Sequence, residues 1–209
     1  MKIKLPLPFG LALLLAGCVP SVNPLYTEKD LVFDPALVGV WSEENEKEAW
    51  AFAEAGGKKY FLKHTDSDGR TGEFDAHLLK LGQELFLDLY ALGLGGNGGW
   101  EINQLARCAL VIRPAHLFLK VDQITPTLKL RLMDPERLEE LIEKNPKDIQ
   151  HEKIRLNGRD SEEFQIILTA PTKDLQKFIL RHVKDEKFFA DPGTLTKKPK
   201  PVDVEPVNK

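Results

Sequence analysis

Cysteine is almost absent from this chain. Cys18 and Cys108 are the only two, and if Cys18 is modified the one thiol left cannot build a cysteine zinc site. Cys108 sits in the apolar run Ala106-Arg107-Cys108-Ala109-Leu110-Val111-Ile112, the surroundings of a buried, inert thiol. No apolar run reaches the roughly 20 residues that span a bilayer; residues 5–16 come nearest. Basic charge is not in excess, with 29 Lys and Arg against 32 Asp and Glu, which argues against nucleic acid as a partner. Serine is scarce, and Ser21, Ser42, Ser67 and Ser161 all lie outside any G-x-S-x-G elbow, so a serine hydrolase is not expected. The five histidines, at 64, 77, 116, 151 and 182, have neither helical i,i+4 pairing nor a neighbouring cysteine. No metal site, cofactor or catalytic set is therefore expected.

What is present at the start is informative. Lys2 and Lys4 precede the apolar residues 5–16, and Leu15-Ala16-Gly17-Cys18 follows. A short basic region, an apolar region and small residues before a cut describe a secretory signal. The four residues resemble the lipobox of bacterial lipoproteins. That resemblance implies cleavage before Cys18, a diacylglycerol on its thiol and a third acyl chain on its new amine. A thiolate is the best side-chain nucleophile for attack on a lipid donor, and two or more chains anchor stably where one is marginal. With Cys18 acylated, no internal disulfide remains possible. Loss of Lys2 and Lys4 would lower the formal net charge of −3 by two further units. Val19 stands where the family's inner-membrane retention signal has aspartate, which implies the periplasmic side of the outer membrane.

Composition divides the chain into a signal peptide (1–17), a lipidated tether (18–37), a β-rich domain (38–190) and a disordered tail (191–209). The tether reading rests on three prolines, with one helical turn expected near Asp34-Pro35. The tail reading rests on proline and lysine with few apolar residues.

Within 38–190, strands are expected at 50–55, 58–65, 72–81 and 84–91, joined by tight turns at Gly56-Gly57, Asp68-Gly69 and Gly82-Gln83. Two-residue loops would set Phe52 opposite Phe61, Phe61 opposite Ala76 and Ala76 opposite Leu89. Further strands are expected at 116–124, at 127–133, where Leu128, Leu130 and Leu132 alternate with Lys129 and Arg131, at 149–156 and at 164–169. Asp134-Pro135 begins one helix and Pro171-Thr172 a second, with Leu175, Phe178, Ile179 and Val183 on one face. The fold class is thus mostly β with two helices, an antiparallel, barrel-like meander. Gly39-Val40-Trp41, opening the first strand after a short turn, resembles the G-x-W of lipocalins, and that resemblance implies a ligand-binding barrel.

On this register Trp50, Phe52, Phe61, Phe74 and Leu89 would line an interior cavity, and Tyr60, His77 and Asp88 would form a polar row on the opposite face, read as solvated. Asp66-Ser67-Asp68-Gly69 begins like a calcium loop, but histidine holds the position of its closing glutamate, so a turn is expected. Gly93-Leu94-Gly95-Gly96-Asn97-Gly98 spells a dinucleotide fingerprint. It follows a hairpin-linked strand rather than opening a parallel βαβ unit, and reads as a loop beside the cavity. The expected function is that of a non-catalytic, lipid-anchored envelope protein binding a small apolar or amphipathic ligand. The alternative is an assembly lipoprotein that recognises another envelope protein.

Overall fold

The computed structural model of the chain describes residues 18–43, 47–93, 115–155 and 164–199. Its strands run β1 (Pro20–Ser21), β2 (Gly39–Ser42), β3 (Ala49–Glu54), β4 (Lys59–Thr65), β5 (Thr71–Leu81), β6 (Glu84–Gly93), β7 (His116–Gln123) and β8 (Thr127–Leu132). Helix α1 (Pro135–Lys144) follows, then β9 (His151–Arg155), β10 (Phe164–Leu168), helix α2 (Thr172–His182) and β11 (Gly193–Lys197). Around the ring the order is β6-β5-β4-β3-β2-β11-β8-β7, and β7 pairs back onto β6. Every pairing in that ring is antiparallel. The result is a closed eight-stranded barrel of lipocalin-like type, mostly β with two helices.

The turn Gly82-Gln83 behaves as expected: Ala76 lies opposite Leu89, with Leu81 and Glu84 as the last pair. The other two hairpins each hold one more loop residue. Gly56, Gly57 and Lys58 all take positive φ, so Phe52 pairs with Leu62 rather than Phe61. The next turn is organised by Asp66, whose carboxylate accepts from the N–H groups of Asp68 and Arg70. Tyr60 therefore pairs with Ala76. A one-residue slip turns a strand over. Here β4 alone is turned: Tyr60, Leu62 and His64 face inward, and Phe61 faces outward.

Alternation along the walls separates two cores. Trp50, Phe52, Leu78, Leu87, Leu119 and Leu130 fill the barrel. Leu79, Phe86 and Phe118 face out and meet Leu138, Ile142, Leu175 and Phe178 of the helices. Each large apolar side chain so buried contributes about 1.5–3 kcal/mol, so the helices belong to the fold. Asp134 caps α1 by accepting from the Arg137 N–H at 2.8 Å.

The boundaries of the domain differ from the sequence reading at both ends. Residues 18–37 are not a free tether. Val19, Leu25, Leu31 and Leu37, six residues apart, are exposed by only 3, 0, 3 and 1%. β1 pairs antiparallel with β7 and parallel with β10, which in turn pairs with β9. The segment then crosses the outer wall, where Leu31 bridges Leu79 and Lys58 Nζ donates to the Leu31 carbonyl. It closes the barrel end with the turn Pro35–Leu37, onto which Trp41 Nε1 donates at Leu37 O, 2.8 Å. Its prolines sit at ends and turns, where the missing N–H costs nothing.

Nor is 191–209 wholly a tail. Gly193–Lys197 is the strand that closes the ring, pairing with β8 and β2 and burying Leu195 to 2%. Pro192 and Pro199 flank this strand rather than interrupt it.

Candidate functional site

The middle of the barrel interior is apolar, and polar side chains gather at its ends. At the end opposite the Pro35–Leu37 turn, Trp50 and His64 are partners across β3 and β4, and Glu48 stands just before β3. Glu48 Oε1 accepts from Trp50 Nε1 at 3.2 Å and lies 3.0 Å from His64 Nε2. The Trp50 and His64 rings meet edge to face at 4.9 Å. Glu48 is 7% exposed and His64 1%. A carboxylate buried this far is costly unless hydrogen-bonded, and two ring N–H groups meet that need. With Nε2 on Glu48, the second ring nitrogen, Nδ1, is the one left over. That atom is buried without a hydrogen-bond partner among the described residues.

Below this cluster the wall is apolar. Trp50, Phe52 and Leu89 belong to the interior core, and Phe74 packs against it. Phe61 does not join them: it pairs with Ala53 and Asp75 on the outer face, because of the extra loop residues. Deeper still, Tyr60, Leu62, Leu87, Leu119, Leu128 and Leu130 are each 0% exposed, so no water-sized gap reaches them. The Tyr60 hydroxyl is spent on the Asp34 backbone, accepting from its N–H at 2.7 Å and donating to its carbonyl at 3.1 Å.

The expected row Tyr60, His77, Asp88 is therefore broken, with Tyr60 inside the barrel. His77 and Asp88 do pair across β5 and β6, but they are covered by the N-terminal segment rather than solvated. Asp88 is 0% exposed. Its Oδ2 accepts the Leu25 N–H at 2.7 Å, and its Oδ1 lies 2.6 Å from His116 Nδ1. His77 stacks on Tyr26, with ring centroids 4.3 Å apart. Burial foremost, and then the Asp88, Glu28 and Asp75 carboxylates, push the Tyr26 phenol up to about 12. Burial also lowers the His77 pKa against the pull of Asp88. Ser21 lies opposite His116 in register, which invites comparison with a hydrolase triad. The Ser21 hydroxyl instead donates to the Asn23 carbonyl at 2.8 Å and is fully buried. This cluster fastens the N-terminal segment to the wall.

Comparison with protein-family models, curated proteins and solved structures found no match.

Among the described residues no group of three or more His, Cys, Asp or Glu could hold a metal ion, and no helix is long and apolar enough to cross a membrane. Asp66 serves its turn and an ion pair with Arg70 at 3.1 Å. An outer cleft of about 460 Å³ is lined by Lys120, Asp122 and Arg131, whose cations both bind Asp122. The glycine-rich stretch from Leu94 onward and Cys108 lie outside the described residues.

Sequence reasoning missed Glu48, His64 and His116. Tyr60, Leu62 and His64 do continue an alternating row, and that signal would have found His64 had the loop lengths been right. Glu48 lies before its strand, and His116 meets Asp88 only because β6 and β7 are neighbours across a long connection.

Proposed function

We propose that this chain is a lipid-anchored, non-catalytic protein of the cell envelope, attached through Cys18 at the periplasmic side of the outer membrane. Its barrel binds a small amphipathic ligand at the end where Glu48, Trp50 and His64 gather. The observation that carries this reading is the buried Nδ1 of His64, which has no hydrogen-bond partner among the described residues, above an apolar wall. The polar head of a ligand supplies the missing partner, and its apolar part lies against Phe74 and Leu89. His64, Trp50 and Leu89 are themselves only 1, 1 and 2% exposed, so the ligand enters by displacing side chains at this end, and the fully packed residues beneath keep it there.

Native mass spectrometry of envelope-purified protein released from its lipid anchor, with titration by a fluorescent fatty acid, tests this reading. A copurified small molecule is expected. His64→Leu is expected to weaken fatty-acid binding about tenfold, the worth of one buried hydrogen bond. Absence of both ligand and fatty-acid binding would remove the proposal.

A second reading, an assembly lipoprotein recognising another envelope protein, is favoured by the filled lower barrel. A crosslinking pulldown that returns one stoichiometric protein would support it. Both readings need the anchor. Cys18→Ala is expected to move the protein out of the membrane fraction or to leave it uncleaved; identical fractionation of variant and wild type would rule the anchor out.

A further inference from the structure

We propose that the β9–β10 hairpin dips edge-on into the lipid headgroup layer, so that Ile154 on one face and Phe164 on the other both enter it. The proposal rests on the lipid-anchor reading of Cys18. Ser21 is level with Leu168 in the parallel β1–β10 pair, and three residues back along both strands Cys18 is level with Gln165. The Gln165 amide donates to the Cys18 carbonyl at 3.5 Å. Gln165 is in turn the partner of Ile154. Cys18, Gln165 and Ile154 thus form one line across three adjacent chains, and strand spacing puts Ile154 about 10 Å from Cys18.

No slack separates the lipid from the fold. Val19 is already buried at 3% and β1 begins at the next residue. Acyl chains rooted at Cys18 therefore draw the hairpin to the bilayer. Ile154 and Phe164 are 43% and 45% exposed, two of the five exposed large apolar side chains among the described residues. Adjacent register rows put them on opposite faces of the hairpin, so neither shields the other. Arg155 lies over the Phe164 ring, 5.0 Å from its centroid, and brings a guanidinium to the level of lipid phosphates. Aromatic and cationic side chains together are favoured at that depth.

The test uses full-length acylated protein in phosphatidylcholine–phosphatidylglycerol vesicles, in a Cys108→Ser background. An environment-sensitive fluorophore is placed on Ile154→Cys, on Phe164→Cys and, as control, on Gln83→Cys in the exposed β5–β6 turn. Blue-shifted emission and roughly twofold quenching by brominated lipid are expected at 154 and 164, the depth of the headgroup–acyl boundary, with none at 83. Hydrogen exchange on the unlabelled protein is expected to show slower exchange at 151–155 with vesicles than without. If the protein floats with vesicles but all three positions behave alike, the hairpin proposal falls and the anchor stands. If the protein carries no acyl chain and does not float, both fall. A change at 154 and 164 that needs a protein from envelope extract, and is absent with protein-free vesicles, assigns the hairpin to a protein partner and overturns the membrane contact.

Discussion

A chain ending at Asp191 loses cooperative unfolding, whereas one ending at Pro199 unfolds like the full-length protein. The first truncation removes β11, which fills the gap between β8 and β2 through four register pairs on one side and two on the other. Each lost backbone hydrogen bond costs about 1 kcal/mol, and uncovering Leu195 costs a further 1.5–3 kcal/mol or so. The sum exceeds the lower end of typical domain stability, about 5 kcal/mol. It also leaves two hydrophobic edges that invite aggregation. The second truncation removes only residues beyond the described strand. Circular dichroism during thermal or urea unfolding distinguishes the two. A cooperative transition in the shorter chain at the full-length midpoint would show that the ring does not depend on β11.

Asp88→Ala is expected to destabilise the protein by about 3 kcal/mol, the usual cost of removing one partner from a buried charged hydrogen-bond pair. Two donors lose their acceptor at once: the Leu25 N–H and the His116 ring. Because Leu25 lies on the segment that follows Cys18, the damage spreads to β1 and to the covering of His77 and Tyr26. The urea midpoint should fall by roughly 1–2 M. Asp88→Asn keeps an acceptor for Leu25 and should cost less. Asp75→Ala breaks a partly exposed pair with Lys59 at 3.3 Å and should stay within about 1 kcal/mol of wild type. Equal effects from Asp88→Ala and Asp75→Ala would mean that the N-terminal segment is not held through Asp88.

The sequence was most legible where a local rule acts alone. Gly82 takes φ 63° in a two-residue turn, and the register it sets is the one observed. Leu128, Leu130 and Leu132 alternate inward as read, and Asp134-Pro135 caps and starts α1. The Gly39-Val40-Trp41 opening leads into a barrel. Reading failed where a choice depended on partners far along the chain. Lys58 at φ 63° is an unusual third loop residue that no short-range signal marks, and it turns β4 over and takes Phe61 out of the interior. The buried pattern of Val19, Leu25, Leu31 and Leu37 has neither helical nor strand spacing, because that segment is shaped by the wall it crosses. Thr194-Leu195-Thr196 is too short to stand out between prolines, yet it closes the ring. The Glu48–His64–Trp50 cluster was illegible for the same reason: it exists only in the true β3–β4 register.

Intact-mass measurement of the protein extracted from membranes bears most directly on the proposed envelope role. The expected mass is that of a chain beginning at Cys18, with a diacylglyceryl group on the thiol and an acyl chain on the amine. A chain that retains residues 1–17, or one beginning at Cys18 without lipid, would contradict the anchor and with it the membrane-bound reading of the barrel.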